Sequence, residues 1–123
     1  MKKRGFTLIE LMVVMAVIGL LLALAVPRYF HSVDRAKDSA LRQDLAVMRD
    51  AIDKYMSDSG QYPSSLLDIV TKNYLRKIPV DPITERADTW IVVPPAREGI
   101  GNVFDVRSGA KGRAPDGSDY GSW

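Results

Sequence analysis

Apolar positions follow two different patterns along the chain. From Leu11 to Val26 no residue is charged, and with Phe6 to Ile9 there are about 20 apolar positions, the length a helix needs to cross a bilayer. After Pro27 the apolar residues become periodic. Leu41, Leu45, Met48, Ile52 and Tyr55 are separated by steps of four and three, which draws one stripe down a helix, and Val33 and Ala36 extend it upstream. Between them Arg42, Asp44, Arg49, Asp50, Asp53 and Lys54 mark a solvated face of mixed sign. One long helix is predicted from about Phe6 to about Ser57, apolar all round in its first half and amphipathic in its second. Pro27 lacks an N–H and is expected to kink or loosen it. Gly19 offers a second soft point or a close helix–helix contact, and Ser59-Gly60 supplies the stop.

Residues 60–123 read as a small head. Ser64 is placed to cap a short helix over residues 65–70, and residues 74–82 form an extended connector bracketed by prolines. Residues 89–93 and 103–107 are strand candidates joined by a glycine-containing loop, hence an antiparallel hairpin. The tail from Ser108 is glycine-rich and poor in apolar residues, but Tyr120 and Trp123 argue that it docks through its rings.

Charge sets the orientation. Lys2, Lys3 and Arg4 precede the apolar run, which places the N-terminus in the cytoplasm and everything after Pro27 outside. A cleaved secretory signal fits poorly, because the run is long and no small-x-small site follows it at residues 25–29. The chain is therefore expected to span the inner membrane once. The formal charge of +2 comes from the leader: without Lys2, Lys3 and Arg4 there are 14 basic against 15 acidic residues, a net −1. Nucleic-acid binding thus loses its main support; Arg107, Lys111 and Arg113 alternate with Asp105, Asp116 and Asp119 and are better read as a local ion-pair network. The chain has no cysteine, one isolated histidine (His31) and no nucleophile-plus-base or phosphate-loop motif, so an enzyme is not expected. A head this small buries only about 60% of its unfolded surface and needs support from the helix, a metal or neighbouring subunits.

Lys2-Lys3-Arg4-Gly5-Phe6-Thr7-Leu8-Ile9-Glu10-Leu11 resembles the class III leader of type IV pilins and type II secretion pseudopilins. The resemblance implies an α+β pilin-like fold: a long N-terminal helix, transmembrane in its first half, packed on a small antiparallel sheet with an irregular tail. It divides the chain into a cleaved leader (1–5), a transmembrane half-helix (6–27), an amphipathic periplasmic half (28–59) and the head (60–123). It also implies that a prepilin peptidase cuts after Gly5 and methylates Phe6. Glu10 then pairs with the new amine of Phe6 in a neighbouring subunit. A carboxylate inside a membrane helix costs about 2.5–3.5 kcal/mol, so a partner is expected; a Glu that snorkels to headgroups is the alternative.

The tyrosine-proline after the helix, the Leu75-to-Pro82 connector and the acidic-glycine tail resemble the major, G-type pseudopilin. That resemblance implies a structural subunit that polymerises into a pseudopilus driving protein export. Its partners would be copies of itself, minor pseudopilins, an inner-membrane platform and a cytoplasmic ATPase. A pilin or minor pilin of a surface fibre is the other reading. The resemblance further implies a calcium ion in the C-terminal loop, for which Asp116 and Asp119 are the candidate ligands. Lys111 stands where an aspartate is expected, so three arrangements stay open: a calcium loop, a loop held by Lys/Arg–Asp pairs, and a flexible tail.

Overall fold

A computed structural model describes residues 5–123. Lys2, Lys3 and Arg4, on which the orientation rests, lie outside the described residues. The chain divides into two compact units, Met1–Ala36 and Lys37–Trp123, and helix α1 (Leu8–Ser59) contributes to both.

The start of α1 is set by a reciprocal cap. The Glu10 N–H donates to Thr7 Oγ1 at 3.2 Å, and the Thr7 N–H donates back to Glu10 Oε2 at 3.3 Å. This Thr-x-x-Glu box satisfies two donors that a helix N-terminus otherwise leaves open. The helix runs through Pro27 without interruption. Ala23 there loses the hydrogen bond that a residue with an N–H would have donated to its carbonyl. At the other end Gly60 takes φ +75° and its N–H closes on the Met56 carbonyl at 2.8 Å, the left-handed stop expected of a glycine after a helix.

In the first unit the apolar side chains face outward. Leu8, Ile9, Leu20 and Leu24 are each more than 60% exposed, far more apolar surface than water tolerates. The helix is long and apolar enough to cross a membrane.

The second unit is built around the predicted stripe. Leu41, Leu45, Met48, Ala51 and Ile52 are buried against Ile69, Trp90, Val103 and Val106. Each fully buried Leu or Ile there contributes about 1.5–3 kcal/mol. Helix α2 (Leu66–Thr71) supplies Ile69. Its cap is Ser65, whose Oγ accepts from the Asp68 N–H, rather than the expected Ser64. Ser64 lies one residue further out, and its hydroxyl donates to the Asp68 carboxylate instead.

Strands β1 (Ile91–Val93) and β2 (Asp105–Arg107) pair antiparallel, with Ile91 opposite Arg107 and Val93 opposite Asp105. Both are shorter than the sequence runs that predicted them. In the loop between them Gly101, at φ +109°, lies where a Cβ would run into the Tyr62 carbonyl, so the loop closes on the helix-exit segment only with glycine there.

Candidate functional site

Two constellations carry the chemistry, one in each unit. In the first, Phe6, Ile9, Glu10, Val13 and Val14 line an open groove at the start of α1. Phe6 is 89% exposed, and a Cβ added at Gly5, ahead of the helix, would meet open space among the described residues. Glu10 is exposed on this otherwise apolar face, and among the described residues its carboxylate is engaged by the Thr7 N–H. A residue read from the sequence as an intermolecular partner therefore also has a local role, helix capping.

The second constellation holds the tail onto α1. Arg49 Nε donates to Asp105 Oδ1 at 2.7 Å. Its Nη2 donates to the Val106 carbonyl at 3.0 Å and to the Trp123 main-chain oxygen at 2.6 Å. One guanidinium thereby joins the helix, strand β2 and the last residue, using the fixed fork that a lysine lacks. One step of seven earlier, the Arg42 guanidinium lies 3.9 Å from the centre of the Trp123 ring, with Nη2 3.6 Å from Asp116 Oδ2. The Trp123 Nε1–H donates to Ser118 Oγ at 2.7 Å, and its ring meets Tyr120 edge-on at 5.1 Å. Tyr120 donates its phenol proton to Asp38 at 2.9 Å. The tail thus docks through both aromatic residues, as the sequence suggested.

One expectation is corrected by this arrangement, and the expected ion-pair network of the tail is found in part, through Arg113 and without Lys111. Arg42 and Arg49 do not belong to a merely solvated face; they reach over the stripe and fasten the tail. Lys111 is exposed and makes none of the ion pairs found among the described residues. Asp116 and Asp119 are matched by arginines instead, Asp119 by Arg113 at 3.4 Å.

The hydrogen bonds from the Ser118 hydroxyl and N–H, with a smaller contribution from Arg42, hold the Asp116 carboxyl below the ordinary aspartate value. A lowered carboxyl stabilises the fold above its unfolded value, and that contribution is lost as pH falls through the folded one. Asp116→Asn is therefore expected to flatten the loss of thermal stability as pH falls below about 4, relative to the unmodified chain. Melting curves across that range check it; equal slopes in both proteins would contradict it.

The sequence reading passed over one further group. Asp81 is fully buried. Its Oδ1 accepts from the Ile83 N–H at 2.8 Å and more weakly from the Thr84 N–H at 3.4 Å, while its Oδ2 accepts from the Ser108 hydroxyl. Ser108 Oγ in turn accepts from the Ala110 N–H at 3.1 Å. This carboxylate locks the connector turn to the start of the tail. The nearby Asp44 carboxyl is pushed up, first by burial and then by the negative charge of Asp81. The position between Pro79 and Pro82 was the only signal in the sequence.

Residues 1–26 match the family model of the prokaryotic N-terminal methylation motif. The chain is 30% identical to the type II secretion system core protein G of Pseudomonas aeruginosa, over 99% of this chain and 96% of the relative. It is 30% identical to the core protein G of Klebsiella michiganensis over 98% and 93% of the two chains. It is 29% identical to that of Escherichia coli over 99% and 92%. No solved structure matches significantly. A methylation motif feeding a long apolar helix, joined to a small α+β head, defines a pilin-like subunit. Within that class, the chain belongs to the family of the type II secretion system core protein G, the major pseudopilins.

Proposed function

We propose that this chain is the building block of a type II secretion pseudopilus, polymerising into a filament that drives protein export across the outer membrane. The observation that carries the reading is the first half of α1, apolar and exposed on every side in a chain related along its whole length to core protein G. Such a surface is stable only in lipid or against copies of itself, and a filament subunit needs both in turn. The full-length relationship favours the pseudopilus over a surface fibre.

The subunit waits in the inner membrane with its N-terminus cytoplasmic and its head periplasmic. A prepilin peptidase cuts after Gly5 and methylates Phe6, and the platform protein with its cytoplasmic ATPase then adds the subunit to the filament. Cleavage creates the amine that Glu10 of a neighbour receives. The exposure of Glu10 and Phe6 on one groove supports that pairing.

Expression with and without a prepilin peptidase tests the scheme. The membrane form made with the peptidase is expected to begin at a methylated Phe6 by mass spectrometry. An intact Met1, or a cut near Ala25, would reduce the chain to a plain anchor or an exported domain and remove the basis for assembly through Glu10.

A further inference from the structure

The family resemblance implies calcium in the C-terminal loop, and the donor set there does not fit it. Calcium takes six to eight oxygens, carboxylates prominent among them. The loop offers two carboxylates, and each already faces an arginine. Asp116 Oδ1 accepts two hydrogen bonds from Ser118, at 2.9 Å from the N–H and 2.6 Å from the hydroxyl. Asp116 Oδ2 faces Arg42, and Asp119 Oδ1 faces Arg113. A dication at this loop would sit beside guanidinium groups already within 4 Å of both carboxylates, and like charges repel. Among the described residues no three His, Cys, Asp or Glu side chains gather as a metal site.

We propose that the head of this protein is closed by an arginine clamp in place of a metal. Arg42 and Arg49 from α1 and Arg113 from the tail do the work that a cation would do, and the fold is independent of calcium. The clamp supplies what a bound ion would: positive charge at Asp105, Asp116 and Asp119, and a rigid link between the tail and the rest of the head. It adds what an ion lacks, a flat surface against which Trp123 stacks. Guanidinium stays charged at any physiological pH and is part of the chain, so closure of the head does not vary with the ion content of the compartment. The proposal concerns cohesion of residues 37–123 and stands whether or not the chain polymerises.

Thermal unfolding of the full chain in detergent micelles, in millimolar EDTA and in millimolar calcium chloride, provides the test. The two melting temperatures are expected to agree within about 1 °C. A native-state site held at a hundred times its Kd would instead raise the melting temperature by about 10 °C or more. A rise above about 5 °C in calcium overturns the proposal. In a second arm, Arg49→Gln is expected to lower the melting temperature by about 5–10 °C equally in both buffers. An Arg49→Gln chain as stable as the unmodified one also overturns it. Arg42→Lys keeps the charge but loses the flat stack on Trp123, and a smaller fall of about 2–4 °C is expected. That milder variant remains readable if Arg49→Gln fails to fold.

Discussion

Glu10→Gln is expected to insert in the membrane and to be processed like the unmodified chain, but to yield at least about tenfold less filament. The substitution separates the capping contact in the structure from the proposed pairing with a neighbour's Phe6 amine. Glutamine serves as well as glutamate at the third position of a capping box, so the bond from the Thr7 N–H survives. The charge does not survive. In a filament core of low dielectric, an amine on Phe6 facing a neutral amide is an unpaired buried charge. Removing one partner of such a pair costs about 3–5 kcal/mol, more than a tenfold effect on association. Glu10→Ala loses the cap as well and is expected to do no better. Sheared-filament yield compared with total membrane-inserted subunit measures the effect. Normal yield from Glu10→Gln would confine Glu10 to capping its own helix.

The largest effect on the head is expected at Asp81. Asp81→Ala removes the acceptor for the part-buried Ile83 N–H and for the hydroxyl of the fully buried Ser108. Orphaning buried donors costs about 1–3 kcal/mol each, so a loss of about 3 kcal/mol is expected. For a head of this size that is a large share of its total stability. Removal of the negative charge that raises the Asp44 carboxyl gives a small gain in return. Asp81→Asn keeps one acceptor oxygen and is expected to cost less. Its amide meets a Ser108 hydroxyl whose oxygen already accepts from the Ala110 N–H. Equilibrium unfolding of Asp81→Ala, Ser108→Ala and the double variant should show a coupling of at least about 0.5 kcal/mol. Strict additivity, or a cost for Asp81→Ala below about 1 kcal/mol, would demote Asp81 from its central place.

Much of this protein was legible before its structure, for reasons specific to the elements concerned. The helix stripe from Leu41 to Ile52 obeys a period that only one conformation satisfies, and all four of its aliphatic members are buried. The stop at Gly60 is equally local, since a left-handed residue after a helix favours glycine. The Thr7–Glu10 box was written in the sequence too, but Glu10 was read outward to a neighbour and not back to its own helix. The Ser65 cap and the ends of β1 and β2 differ from expectation by one or two residues because local propensity does not set where hydrogen bonding stops.

The sequence by itself determined what depends on neighbours within a few turns: the apolar span, the methylation motif within residues 1–26, the amphipathic half of α1 and the hairpin. Tertiary structure alone decided which charges meet. Arg49 finds Asp105 across 56 positions and the Trp123 main-chain oxygen across 74; Ser108 finds Asp81 across 27. No periodicity encodes such a pairing. A long side chain on a helix looks the same in sequence whether it ends in water or on a carboxylate, and only chain closure places the carboxylate within its reach.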